Sequence, residues 1–135
     1  MSEIPEELDW VAERDKCVAF QAFKQLQSDI EKDVVIRNKF VTDAQNQNHV
    51  AFVLKPDEQD KDIFRVHRNG AGIHSVVLFK LDGERIVVRD DKNQTLATAT
   101  LTIDDGGKCS LLVSGYQLTR WQFRPTVLEG LLFVF

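Results

Sequence analysis

IHSVVLFKLDGERIVVRD, residues 73–90, is the stretch that decides the fold. Two apolar-rich runs flank Asp82-Gly83, a dipeptide that tolerates positive φ at both positions, so the spacing predicts a two-residue type I′ hairpin. Centred there, the turn sets Leu81 opposite Glu84 and puts Phe79/Ile86 and Val77/Val88 on one face. Leu78/Val87, Val76/Arg89 and His74/Asp91 fall on the other. The first is the core face. Each of its four apolar side chains contributes roughly 1.5 to 3 kcal/mol when buried, and a one-residue slip would turn all four outward.

Working outward, the same period-2 signal recurs on both sides. Downstream, a threonine-rich run at 96–103 and a run at 109–113 flank Asp104-Asp105-Gly106-Gly107, predicting a further antiparallel pair. Upstream, Phe64 and Val66 mark a short strand before the turn Asn69-Gly70-Ala71-Gly72. Before it, Val50, Phe52 and Leu54 alternate with His49, Ala51, Val53 and Lys55. Val34, Ile36 and Phe40 alternate with Val35, Arg37 and Lys39, which predicts the first strand directly after Lys32. The connectors TDAQNQN (42–48) and PDEQDKD (56–62) are polar, and the second is acidic. Short connections between consecutive strands imply an antiparallel meander of about 5–7 strands over 33–114, strongly twisted and half-open.

The two ends follow a different period. Leu8, Val11, Ala12, Ala19, Ala22, Phe23, Leu26 and Ile30 recur at three and four residues, the stripe of an amphipathic helix over 5–31. Pro5 suits its first turn, and Glu3, Glu6, Glu7 and Asp9 suit the positive end of its dipole. Asp15 falls on the stripe, which leaves a break at 13–16 open. Residues 115–135 form a closing segment: strand or irregular through Phe123, then a short helix with Pro125 in its first turn. The fold class is therefore α+β in one domain, 1–135: a long N-terminal helix on a twisted antiparallel sheet, closed at one end by a C-terminal helical segment. With seven strands and a closing segment bearing Trp121, the element order resembles that of a pleckstrin-homology-type barrel with an extra N-terminal helix. The loop after the first strand lacks the lysines and arginines by which that family binds inositol phosphates, so the likeness implies architecture and no ligand.

Composition bounds the function. The chain has 135 residues, 43% hydrophobic and 28% charged, with a net charge of -4. That size is enough for a core without staples. The acidic balance gives no general attraction to nucleic acid or anionic lipid, and no run approaches the ~18 apolar residues of a membrane span. The acidic N-terminus lacks the pattern of a secretory signal, so the expected location is cytoplasmic. Cys17 and Cys109 match no metal or redox spacing and are expected to be reduced, buried thiols.

Candidate chemistry is sparse. His74, set across the hairpin mouth from Asp91, could be the base half of a nucleophile-activating pair. Such pairs are ordinary surface features, however, and Ser75 points to the opposite face. His49, His67 and His74 lack metal-ligand spacing, although His67 and His74 flank a turn, so no metal and no cofactor is expected. Asn69-Gly70-Ala71-Gly72 leads into a strand, not a helix, and is a turn, not a phosphate loop. Arg65, His67, Arg68, Arg85 and Arg89 could gather with Lys80 on the outer sheet face, but the aromatics of a single-strand binder are missing there. Trp10, Phe20, Trp121, Phe123, Phe133 and Phe135 all lie in the terminal segments, more aromatic surface than one helix on a sheet needs. They are the expected partner-binding residues of a non-catalytic, self-associating module, a homodimer. The alternative is a small-molecule site between helix and sheet near His74 and Asp91.

Overall fold

The computed structural model describes residues 10–41, 50–70, 73–104 and 106–133. A short helix, α1 (Trp10–Lys16), precedes a 21-residue helix, α2 (Ala19–Lys39). The buried face of α2 is Ala19, Phe23, Leu26, Ile30, Val34 and Arg37, spaced three and four throughout. Residues 33–39 are thus helix, not the expected first strand. The β-branched run Val34-Val35-Ile36 costs a helix less than ~0.7 kcal/mol per residue. Burying Val34 on the continuing stripe outweighs that, and Val35 and Ile36 are left exposed.

The helical break falls at Cys17-Val18, where Val18 is extended (φ -120, ψ 147). Cys17 is disulfide-bonded to Cys109, 92 residues away in sequence. This corrects the expectation of two reduced thiols: α1 lies against the strand that Cys109 opens, a proximity that sequence separation hides. Closing a loop of this size restricts the unfolded chain by about 4 to 5 kcal/mol in the chain-entropy model.

Seven strands follow, β1 (Ala51–Pro56), β2 (Ile63–Gly70), β3 (Ile73–Asp82), β4 (Arg85–Asp90), β5 (Thr95–Ile103), β6 (Cys109–Val113) and β7 (Tyr116–Leu118). All are antiparallel, in the order β1-β2-β3-β4-β5-β6-β7, an open meander. Its core face carries Phe52, Leu54, Phe64, Val66, Val77, Phe79, Ile86, Val88, Ala97, Ala99 and Leu111, packed against Phe23, Leu26 and Ile30 of α2. Phe64 stacks on Phe79, with ring centroids 4.7 Å apart, and is tilted against Phe23 at 5.1 Å.

The β3–β4 hairpin turns one residue later than expected. Asp82 pairs with Arg85, Leu81 with Ile86 and Phe79 with Val88. The central pair is Gly83-Glu84, with positive φ only at Gly83 (φ 61), as a type II′ turn requires. Asp82 and Arg85, now paired in the ladder, also form an exposed ion pair (3.0 Å). Each partner shifts by two, an even number. The same four side chains, Val77, Phe79, Ile86 and Val88, therefore stay buried.

Two further hairpins share one device. Asp90 Oδ1 accepts from the backbone N–H groups of Lys92 and Gln94, and Asp104 Oδ1 from those of Gly106 and Lys108. Each turn then needs a left-handed residue, supplied by Asn93 (φ 62) and Gly107 (φ 79). At the sheet edge, the Asn38 side chain of α2 donates to the Phe52 carbonyl (2.8 Å) and accepts from its N–H (3.0 Å). That contact blunts part of the free edge of β1.

The chain ends in α3 (Arg120–Phe133), which starts earlier than expected, well before Pro125. Thr119 Oγ1 accepts from the Gln122 N–H, and Gln122 Oε1 accepts from the Thr119 N–H. This reciprocal capping box fixes the helix start whatever follows, so Phe123 is helical and fully buried. Pro125, six residues in, costs one backbone bond, and the burial of Phe123, Val127, Leu128, Leu131 and Leu132 holds the helix across it.

Candidate functional site

The C-terminal half of α2 and the length of α3 run beside each other and leave a groove of about 740 Å³. Its walls are Ile36 and Phe40 from α2 and Trp121, Pro125, Leu128, Leu132 and Phe133 from α3. The burial stripe of α2 produces this. Val34 and Arg37 point into the protein, so Ile36 and Phe40 are turned out. Ile36 is 52% exposed, Phe40 71%, Trp121 67% and Phe133 60%, above a core whose phenylalanines are buried.

Of the charged side chains that line the groove, Asp33 and Arg124 are paired with each other, with Asp29 and Arg120 beside them, and Glu129 is exposed. Arg124 Nε lies 2.7 Å from Asp33 Oδ2, its NH1 lies 3.3 Å from Asp29 Oδ2, and Arg120 Nε reaches the same Asp29 oxygen at 3.2 Å. At the closed end, Arg37 is buried. Its Nε donates to the Leu132 carbonyl (2.9 Å) and its NH1 to the Phe40 carbonyl (3.3 Å). The guanidinium also lies 4.6 Å from the Phe133 ring centroid and 5.5 Å from that of Phe52. Arg68, on the core face of β2, donates to the Leu131 carbonyl (3.2 Å). The last turn of α3 has no basic residue of its own, so these two arginines answer the negative end of its dipole.

Of the aromatics expected to form a partner surface, Trp121 and Phe133 meet in this groove. Phe123 does not: it is core, because the helix begins early enough to turn it inward. Phe20 is exposed beside Lys24, about 24 Å along α2 from Ile36, and belongs to another surface. The Trp10 side chain and Phe135 lie outside the described residues. Ile36 and Phe40 were missed because they were assigned to a strand; helical counting through Arg37 would have placed them on the outward side.

The expected His74/Asp91 pair is not formed. His74 lies opposite Asn69 of β2, and the β3–β4 ladder ends at Val77 and Asp90. His74 Nε2 instead meets His67 Nδ1 at 2.8 Å, one imidazole N–H donating to the other, with the rings nearly parallel. Burial, and then the charges of His74, Lys55 and Arg65, hold the His67 pKa below its ordinary value of 6.5. The Arg65 guanidinium, 2.9 Å away, and the N–H groups of Asp60 and Gln59 hold the Asp57 carboxyl below its usual 3.8. His49 lies outside the described residues. Among the described residues no three His, Cys, Asp or Glu side chains come together to hold a metal ion.

These elements define an α+β protein with an open antiparallel meander and a two-helix groove. Comparison with family models, curated proteins and solved structures finds no match. No helix among the described residues is long and apolar enough to cross a membrane.

Proposed function

We propose that this chain is a non-catalytic interaction module that self-associates through the groove between α2 and α3. One observation supports it above others: Ile36, Phe40, Trp121 and Phe133 stand exposed around a single concavity while the core beneath is filled. An exposed apolar cluster of this kind, with aromatic members, is what an interface core looks like before it is covered. Light scattering across a concentration series tests the reading. Wild type is expected to dimerise and the double variant Ile36→Ser, Trp121→Ala to remain monomeric with an unchanged far-ultraviolet circular dichroism spectrum, since both positions are surface. A wild-type monomer throughout overturns it. The volume of the groove, within the ~300 to 1,000 Å³ of small-molecule sites, favours a second reading as an apolar-ligand pocket. A native mass spectrum separates the two: a bare dimer fits the first, a monomer retaining an adduct fits the second.

A further inference from the structure

On the side of the sheet away from α2, the outward side chains of β1 to β4 are Val53 and Lys55, then Arg65 and His67, then His74, Val76, Leu78 and Lys80, then Arg85, Val87 and Arg89. Strand pairing puts Lys55 beside Arg65, Arg65 beside Leu78, and Leu78 beside Arg89, in one row across the four strands. Lys80, beside Val87, flanks the row on one side, and His67, beside Val76, on the other. Acids stand only at the ends of this face. Asp57 is bound to Arg65 and Asp82 to Arg85, with Glu58 and Glu84 in the turns themselves. Lys55, Lys80 and Arg89 have no ion partner among the described residues. In a chain of net charge -4, this face thus carries five of the 17 lysines and arginines, three of them without an ion partner among the described residues.

We propose that this outward face of β1 to β4 is a docking surface for an acidic, extended polypeptide segment of a partner protein, separate from the groove between α2 and α3. Charge complementarity supplies the attraction, and the composition of the face selects the partner. Its only outward rings are the two imidazoles, which are engaged with each other, so bases have no stacking platform. Between the cations lie aliphatic side chains, Val53, Val76, Leu78 and Val87, of which Val87 is only 6% exposed. Arg65, Lys80 and Arg89 are themselves half-buried, as long charged side chains are when their stems cover apolar surface. Cations held this way lose less side-chain freedom on binding than free-standing ones. An extended chain that alternates carboxylates with aliphatic residues matches both parts of the pattern, because its side chains also repeat with period 2.

The test uses the intact protein and a synthetic peptide of alternating glutamate and valine, long enough to cross four strands at about 4.8 Å per strand. Binding is measured by fluorescence anisotropy at about 10 mM salt, where charges act over about 30 Å, and at about 150 mM, where they act over about 8 Å. The peptide is expected to bind at low salt and weaken at high salt. The triple variant Lys55→Gln, Lys80→Gln, Arg89→Gln is expected to bind at least about tenfold less tightly. Trp121→Ala is expected to leave the affinity unchanged. Circular dichroism reports whether the triple variant keeps its fold; Arg89→Gln alone, expected to weaken binding in the same direction, replaces it if it does not. Absence of binding at low salt, equal binding by the variant, or loss of binding in Trp121→Ala overturns the proposal. Tighter binding of an oligothymidylate of equal charge overturns it in favour of nucleic acid.

Discussion

The groove between α2 and α3 and the outward face of β1 to β4 are built on opposite principles. Along the groove Arg120 and Arg124 are paired with Asp29 and Asp33, and apolar side chains are left to solvent. On the sheet the aliphatic side chains are shielded and Lys55, Lys80 and Arg89 are left without ion partners among the described residues. A partner of the first surface gains by burying area, a short-range effect almost indifferent to salt. A partner of the second is attracted over a Debye length and is lost as salt rises. The two proposed docking surfaces therefore differ in physical selectivity.

The comparison can be broken most strongly at Phe123, which anchors α3 to the core beneath the groove and touches nothing on the outward face. Phe123→Ala is expected to cost about 3 to 5 kcal/mol, read from urea unfolding, because the site cannot collapse around a lost ring. A loss under about 1 kcal/mol would mean that α3 is not held by this contact. Next is Arg37, which ties the ends of both helices. Arg37→Met keeps much of the side-chain bulk but leaves the Leu132 and Phe40 carbonyls without this donor, at an expected cost of about 2 to 3 kcal/mol. Self-association should weaken with it, since Phe133 loses the cation beneath its ring. The smallest effect sharpens the sheet side. Because the His67 pKa is lowered in the folded protein, the unfolded chain binds the proton first as pH falls. The stability contributed by neutral His67 is therefore present above pH 6.5 and is lost as pH drops through that value toward the folded pKa. His67→Gln should flatten that part of the stability-against-pH curve. An unchanged slope in the variant would place the titration elsewhere.

Much of the sheet was legible in residues 73–90, because period 2 and the need to bury Val77, Phe79, Ile86 and Val88 leave one choice of face. Register was less legible. Asp82-Gly83 and Gly83-Glu84 both suit a two-residue turn, and the folded hairpin uses the second, with Asp82 paired to Arg85. The start of α3 was written in Thr119 and Gln122 at capping-box spacing but was overshadowed by Pro125. The groove was half legible. Trp121 and Phe133 stood out as surplus aromatics, whereas Ile36 and Phe40 were hidden in a β-branched run that reads as strand at short range.

What the sequence determined by itself was the alternation of the strands from Phe52 to Val113 and the three-and-four stripe from Ala19 to Ile30, with the side of each that meets the core. Tertiary structure decided the rest. It closed Cys17 onto Cys109, brought Arg37 and Arg68 to the end of a helix that has no basic last turn, and set His67 against His74 in place of Asp91. The division has a physical cause. Local patterns fix a side chain's direction relative to its own backbone, but partners between distant elements depend on how whole helices and strands pack, a sum over many weak contacts that no single stretch contains.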